Sequence, residues 1–227
     1  MRILVTRARQ DAALTAARLQ ALGHVPVLAP VLEIMPLEFV WPQKPRALVA
    51  TSAHAFIKPP PADWHDLPLY VGGETTARAA AKLGFTRDVI VRDDVGGLAA
   101  LLAVSDSSGA LYLAGTHRKP ILETAIPGLS VLETYEARAC DHLPEDALDQ
   151  LKSNRIDVVL HYSRRSAEIF VRLIHQQNIS LATLVASHIC LSRDVAAPLQ
   201  TTAFNGTSAL SVKIAASPDE ASLMDLI

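Results

Sequence analysis

Residues 130–140 read SVLETYEARAC, and this stretch decides the fold that the sequence predicts. Its valine, threonine and tyrosine residues are typical of an extended segment. We interpret it as the return of the chain from an inserted second domain to a first domain left incomplete by the earlier residues. Tyr135 lies where the two domains would face each other, so we expect the functional cleft beside this phenol.

The first domain begins before this stretch, but it cannot be completed there. The pattern predicts a strand over residues 2–6, a helix over residues 10–22 with an apolar stripe of Ala13, Leu14, Ala17 and Ala21, and a second strand over residues 25–28. About 30 residues cannot close a hydrophobic core alone. Prolines recur through residues 29–45, and proline disfavours both helices and central strands, so we interpret this stretch as an outgoing linker.

Strands alternate with helices on both sides of residues 130–140, which is typical of parallel sheets covered by helices. The sequence therefore predicts an α/β fold with two small doubly wound parallel-sheet domains, the second inserted into the first and joined by a two-stranded linker. The predicted boundaries are 1–33 with 138–227 for the first domain, 40–130 for the second domain, and 34–39 and 131–137 for the linker strands.

The C-terminal end carries a helix signal of its own. Residues 217–220 read SPDE, which predicts a helix start with Ser217 as the cap and Pro218 in the first helical position. Glu220 would complete a capping box with Ser217.

Composition narrows the class of protein. Half of the 227 residues are hydrophobic but only 5% are aromatic, which suits parallel strands packed by alanine-rich helices. A net charge of -2 without a Lys/Arg run predicts no nucleic-acid partner. Cys140 and Cys190 lie outside any CxxC pair, which argues against a secreted disulfide framework or a zinc site. Without a signal peptide or membrane span in the pattern, we expect a cytoplasmic monomer with no membrane partner.

Small hydroxyls, glycines and arginines follow the predicted strands, where ligands bind in doubly wound sheets. These strand ends are residues 6–7, 51–52, 72–76, 115–118, 163–166, 192–193 and 217. Helix N-termini at such places offer backbone N–H groups, so the set suits a ligand with many carboxylates or phosphates. The alternative at each serine or threonine is a plain helix cap.

Other chemistries have weaker support. GGETTA over residues 72–77 lacks the GxGxxG pattern of a dinucleotide site, and no HExxH or GxSxG is present. His54, His117 and His161 follow strands, yet we expect them to be structural or surface residues. By its pattern alone, on a β-rich segment, Tyr135 is by default a packing tyrosine.

The order of short motifs resembles one enzyme family, the uroporphyrinogen-III synthases, over essentially the whole chain. The matching pieces are ILVTRARQDAALTAARLQALGH, LVATSAHA, LYVGGETTARAAAKLGF, LYLAGTHRKPILETAI, VLETYEARA, VVLHYSRRSAEIF and AASPDEASLMDLI. The resemblance implies two α/β domains whose cleft takes hydroxymethylbilane, a linear tetrapyrrole. It also implies removal of the substrate hydroxyl as water and ring closure with the last pyrrole inverted, without metal or organic cofactor.

The resemblance also implies roles for single residues. Tyr135 would be the proton donor at the departing hydroxyl. The residues expected to hold substrate carboxylates are Arg7, Thr51, Ser52, Gly73, Thr75, Thr76, Arg118, Ser163, Arg164, Ser166 and Ser192. Asp194 and Val195 depart from the family pattern, and we expect Arg193 to compensate the charge of Asp194. The alternatives are a non-catalytic two-lobed binding protein or sensor for a small anion, and a nucleotide-dependent enzyme.

Overall fold

The computed structural model describes residues 1–105, 107–181, 184–203 and 210–227. In chain order its elements are β1 (Arg2–Val5), α1 (Arg9–Ala21), β2 (Val25–Leu28), β3 (Leu32–Pro36), β4 (Ala47–Ala50), two 3-10 helices (Ala53–Phe56 and Ala62–Trp64), β5 (Leu69–Gly72), α2 (Glu74–Lys82), β6 (Val89–Arg92), α3 (Val95–Val104), β7 (Ala110–Gly115), α4 (Ile121–Ala125), β8 (Ser130–Ala139), α5 (Glu145–Lys152), β9 (Val158–His161), α6 (Arg164–Gln176), β10 (Ser187–Cys190), α7 (Arg193–Ala203), β11 (Val212–Ile214) and α8 (Glu220–Met224). None of the described helices is long and apolar enough to cross a membrane.

The chain divides into two compact units. The first contains Met1–Glu33 and Arg138–Ile227, and the second contains Ile34–Ala137. Strands β3 and β8 run across the two boundaries in sequence, so each unit takes part of both strands. The segments that the sequence assigned to linkers, residues 34–39 and 131–137, fall within the second unit by contacts.

The first unit is built on a five-stranded sheet in the order β11-β10-β9-β1-β2, and every neighbouring pair is parallel. Counting only this unit's strands along the chain, the order reads 2-1-3-4-5. The direction of winding reverses between β1 and β9. In such sheets the crevice at the reversal, outside the carboxyl ends of the strands, is where ligands bind.

The second unit contains a six-stranded sheet in the order β3-β8-β7-β4-β5-β6. Its pairs β8–β7, β7–β4, β4–β5 and β5–β6 are parallel. Winding reverses between β4 and β7, so the residues that follow these two strands flank the ligand crevice of this unit.

Both sheets are buried on both faces. Within β4, Leu48 and Ala50 pack into one core cluster, while Ala47 and Val49 pack into another. Strand β1 divides its side chains between two clusters in the same way. Successive strand residues point to opposite faces, so an all-apolar strand requires cover on each side. The predicted fold class, α/β with parallel sheets, is confirmed.

Helix α1 buries a different face from the predicted one. The structure buries Ala12, Thr15 and Leu19, while the predicted stripe of Ala13, Leu14, Ala17 and Ala21 faces outward. Leu14 is 63% exposed. Alanine is apolar yet common on surfaces, so counting alanines shifted the predicted stripe by about one position around the helix.

The C-terminal helix also starts later than predicted. Asp219, not Ser217, caps α8, and its carboxylate accepts a hydrogen bond from the backbone N–H of Ser222 at 2.8 Å. The prediction of a Ser217 cap is therefore wrong. Serine and aspartate are both favoured caps, so the residue types alone do not decide between them.

Candidate active site

A hydrogen-bonded pair of hydroxyl groups lies where the two strands that flank the crevice of the second unit meet. Thr51 follows β4, and its Oγ1 lies 2.7 Å from the phenol oxygen of Tyr112 in β7, where either group can donate. Tyr112 is 3% exposed. Burial raises the pKa of the Tyr112 phenol, the hydrogen bond from Thr51 opposes the rise, and the neighbouring Tyr135 phenol adds to it. Tyr112 is therefore neutral at neutral pH, and Thr51 already has an internal partner.

The next residue, Ser52, shapes the turn after β4. Its hydroxyl caps the 3-10 helix Ala53–Phe56 by accepting a hydrogen bond from the backbone N–H of His54 at 3.2 Å. The turn places the His54 ring beside Tyr135, with ring centroids 5.7 Å apart and an interplanar angle of 61°. An imidazole and a phenol thus share the carboxyl edge of this sheet.

Tyr135 reaches that edge from β8. It is half-buried and packs against the core cluster that contains Leu113. A register shift between β7 and β8 pairs Tyr135 with Gly115, the last residue of β7. The phenol consequently lies over the end of one of the two strands that flank the crevice.

Arg118, predicted to bind a substrate carboxylate, has carboxylate partners inside the unit. Its guanidinium donates to Glu123 at 2.6 Å and to Glu133 at 2.8 Å. It also donates to the backbone carbonyl of Gly115 at 2.7 Å. Arg118 therefore braces the loop after β7, and its charge is balanced before any ligand arrives.

The helix start at residues 73–76 combines a required glycine with one exposed hydroxyl. Gly73 caps α2 with φ of 89°, a conformation that favours glycine. Thr75 is exposed in the first turn. Thr76 is 3% exposed and donates its hydroxyl to the carbonyl of Gly72 at 3.0 Å. The expectation of a ligand-facing hydroxyl therefore suits Thr75 and not Thr76.

In the first unit, the start of α6 is closed by a reciprocal cap. The Ser163 hydroxyl accepts from the N–H of Ser166 at 3.1 Å, and the Ser166 hydroxyl accepts from the N–H of Ser163 at 3.2 Å. Ser166 is 2% exposed. Both hydroxyls are thus part of a capping box, and we correct the expectation that Ser166 faces a ligand.

Two further predicted ligands lie at strand ends of the first unit. Arg164 is half-exposed and pairs with Glu168 at 2.9 Å and with Asp194 at 3.2 Å. Arg164 is thus a partner of Asp194, where the sequence had suggested Arg193. The hydroxyl of Ser192 is 3.4 Å from the N–H of Val195 at the start of α7, the position of a helix cap.

Arg7 follows β1 and belongs to a network around one carboxylate. The Glu220 carboxylate accepts from Arg7 at 3.3 Å, from Thr15 at 2.6 Å, from Tyr162 at 3.0 Å and also from Arg18. The Arg7 guanidinium lies over the Tyr162 ring, 4.3 Å from its centroid. Burial raises the pKa of the Tyr162 phenol, and the Glu220 charge adds to the rise. The network holds the end of β1 against the C-terminal helix.

Comparisons with known proteins identify the family. The family model for uroporphyrinogen-III synthase HemD matches residues 13–220. The chain belongs to the uroporphyrinogen-III synthase family. It is an enzyme of porphyrin biosynthesis that dehydrates and cyclises hydroxymethylbilane, with inversion of the last pyrrole, to give uroporphyrinogen III.

Solved structures show the same fold at low sequence identity. The uroporphyrinogen-III synthetase of Helicobacter pylori is 18% identical, with a TM-score of 0.65, and the alignment covers 100% of this chain and 98% of that one. A mutant uroporphyrinogen III synthase from the extremely thermophilic bacterium Thermus thermophilus is 17% identical, with a TM-score of 0.55 and coverage of 100% and 97%. The comparison with curated proteins finds no match.

Sequence reasoning did not single out three residues that lie at these strand ends or in their hydrogen-bond networks. Tyr112 looked like a strand residue, although an aromatic residue near the end of a central strand was a usable signal. Gly115 was recognised only as part of a strand end. Glu220 was assigned to a capping box, but four side chains converge on its carboxylate.

Two of the histidines that follow strands differ in their exposure. His161 is fully buried, with Nε2 2.9 Å from Nδ1 of His188. His117 is exposed. Within the described residues, no group of three or more His, Cys, Asp or Glu side chains could hold a metal ion.

Proposed function

We propose that Tyr135 donates the proton that turns the departing hydroxyl of hydroxymethylbilane into water. The observation that carries the proposal is the register shift that lays its phenol over Gly115, where β7 ends beside the crevice of the second unit. The residue is half-buried, so packing holds its side chain in place without enclosing it fully. A positioned proton donor of this kind accelerates C–O cleavage.

The chemistry then follows from the substrate. Loss of water leaves an azafulvene cation, which the terminal pyrrole attacks through its substituted carbon. The spiro intermediate reopens and recloses, and loss of a ring proton gives uroporphyrinogen III. The ring proton lost in the last step balances the proton that Tyr135 donated, so the tyrosine is restored and the net change is the loss of one water. The protein mainly has to hold the bilane so that attack at the substituted carbon is faster than attack at the free one.

For the substrate carboxylates we propose the accessible members of the predicted set. They are Ser52, Gly73, Thr75, Arg164 and Ser192. Ser52 and Ser192 accept from backbone N–H groups, so their hydroxyl protons are not used in those bonds, and Arg164 is 48% exposed although it pairs with Glu168 and Asp194. The other six predicted ligands are less suited to a substrate carboxylate: Thr76 and Ser166 are buried, Thr51 and Ser163 share their hydroxyls with neighbouring side chains, and Arg7 and Arg118 form less exposed ion pairs. We assign these six residues to shaping the strand ends. We also propose that the protein is a cytoplasmic monomer. The net charge of -2 supports the further proposal that it has no nucleic-acid partner.

Replacing Tyr135 by phenylalanine tests the proton donor. We expect turnover of Tyr135→Phe to fall about a hundredfold or more, because positioned acids contribute about that much. The type III product should be retained, because the shape of the site and not the phenol sets the isomer. The matched control is Tyr70→Phe in β5, whose turnover should equal that of the wild type. Wild-type turnover in Tyr135→Phe would disprove the role.

The carboxylate ligands predict a separate effect on KM. Arg164→Ala should raise the KM for hydroxymethylbilane about tenfold, since one charge-assisted hydrogen bond is lost, with kcat nearly unchanged. Arg87→Ala is the control, because Arg87 forms an exposed pair with Asp66 away from the strand carboxyl ends. Equal KM values in the two variants would remove Arg164 from the proposed set.

A further inference from the structure

Gly115 is the residue on which the Tyr135 ring rests. A Cβ atom added at Gly115 would lie 2.7 Å from Cζ of Tyr135 and 2.9 Å from its phenol oxygen. Cβ atoms essentially never approach other heavy atoms within 3.0 Å. Any residue other than glycine at this position must therefore move the phenol away from the end of β7.

A β-bulge explains how the phenol comes to face Gly115. The pairing of β7 with β8 is regular up to Ala114, which pairs with Glu133. It then shifts by one residue, so that Gly115 pairs with Tyr135. Thr134 is the extra residue. Because side chains alternate between faces, regular pairing would place Thr134 beside Gly115 and turn Tyr135 to the opposite face.

The core clusters show that Tyr135 changes face. Leu132 packs with Leu113 in one cluster, and Val131 packs with Tyr112 in the other. Tyr135 is three residues after Leu132, so regular alternation would separate the two, yet both pack against the same cluster. The bulge therefore redirects Tyr135 onto the face where Gly115 leaves room for its ring.

The bulge is fixed by the turn that carries His54. The hydroxyl of Thr134 is fully buried and donates to the backbone carbonyl of Ala55 at 3.1 Å. The backbone carbonyl of Thr134 accepts from the N–H of Leu37 at 3.0 Å. His54, next to Ala55, places its ring beside that of Tyr135, with centroids 5.7 Å apart. The backbone bonds of the bulge and the neighbouring imidazole thus both help to fix the position of the Tyr135 ring.

We propose that Gly115 and the bulge at Thr134 position the Tyr135 phenol for proton donation, with Gly115 as the seat of its ring. The inference rests on the proposed role of Tyr135 and adds the residues that set its location. A bulge beside an active site commonly re-aims a side chain in this way. A misplacement of about 1 Å in a catalytic group can lower a rate about a hundredfold.

Gly115→Ala tests whether Gly115 positions the Tyr135 ring. We expect kcat for hydroxymethylbilane to fall at least about tenfold, while KM changes less than about twofold, because carboxylate binding is left intact. In a Tyr135→Phe background the same substitution should have no further effect on kcat, because there is no phenol to misplace. A crystal structure of Gly115→Ala should show the ring of Tyr135 displaced.

The control is Gly96→Ala in α3, where an added Cβ makes only an ordinary 3.4 Å contact with Asp94. It should keep wild-type kcat. Wild-type kcat in folded Gly115→Ala, or an equal loss with and without the phenol, would overturn the inference. Slow turnover of Tyr135→Phe with normal turnover of Gly115→Ala would refute only the positioning role of Gly115. Normal turnover of Tyr135→Phe would refute the role of Tyr135 as proton donor.

Thr134→Val gives a second test if Gly115→Ala does not fold. Valine keeps the shape of threonine but cannot donate to Ala55, so the bulge is no longer fixed through this bond. We expect kcat to fall severalfold with KM unchanged and, again, no further loss in the Tyr135→Phe background. An unchanged kcat in folded Thr134→Val would count against the bulge as a positioning element.

Discussion

At the scale of single residues, Glu220 has four side-chain partners to lose. Two arginines, a threonine and a partly buried phenol converge on its carboxylate, which is only 18% exposed. Glu220→Gln keeps the shape but removes the charge, so Arg7 and Tyr162 lose an ionic acceptor. We expect the free energy of unfolding to fall by about 1–3 kcal/mol, measured by urea denaturation.

The control for this prediction is Glu168→Gln. Glu168 pairs with Arg164 at 2.9 Å, but both side chains are about half exposed. Exposed ion pairs contribute about 0–1 kcal/mol, so this variant should unfold near the wild-type midpoint. If the two variants lose the same stability, the carboxylate of Glu220 does not organise the end of β1.

The sequence predicted the locations of the polar groups better than it predicted their hydrogen-bond partners. The strand ends that carry Thr76, Ser166 and Arg118 were all found from the sequence. Their partners are the Gly72 carbonyl, the Ser163 cap and two glutamates, which depend on backbone geometry and on residues distant in sequence. A hydroxyl beside a helix start has the same pattern whether it caps the helix or binds a ligand.

At the scale of elements, the buried pair of His161 in β9 and His188 in β10 makes the first unit sensitive to acid. Burial lowers the pKa of His188 to about 4 and lowers that of His161 well below its ordinary 6.5, with His188 adding to the second effect. The unfolded chain therefore binds protons between about pH 6.5 and 4 that the folded unit excludes. The contribution of this pair to the free energy of unfolding is at its full value above pH 6.5 and falls as the pH drops through this window.

Urea unfolding at pH 7.5 and pH 5 measures the effect. We expect the wild type to lose stability between the two values, and the double variant His161→Leu, His188→Leu to lose much less. Replacing both partners by apolar groups avoids leaving one unpaired. His175→Gln, on the exposed side of α6, should keep the wild-type pH dependence. An equal loss in the wild type and the double variant would assign the acid sensitivity to other groups.

Elements also show where periodicity alone fails. In α6 the buried face carries large side chains such as Phe170 and Ile174, so its apolar periodicity is clear from the sequence. Helix α1 offers mainly alanines, which do not distinguish the faces. The bulge in β8 carries no composition signal, since Thr134 fits a regular strand equally well.

At the scale of the whole molecule, the alternation of strands and helices was sufficient to predict two parallel sheets, and the order of short motifs indicated the family. The strand orders were not predicted, because the sequence of elements does not say on which side of β1 or β4 the later strands add. Those orders determine which loops flank each crevice, and therefore which of the candidate hydroxyls lie together.

The most direct test is to incubate the purified protein with hydroxymethylbilane, oxidise the products and separate the porphyrin isomers. The account predicts mainly uroporphyrin III, formed faster than the spontaneous cyclisation. Formation of only the type I isomer, at the rate seen without protein, would contradict it.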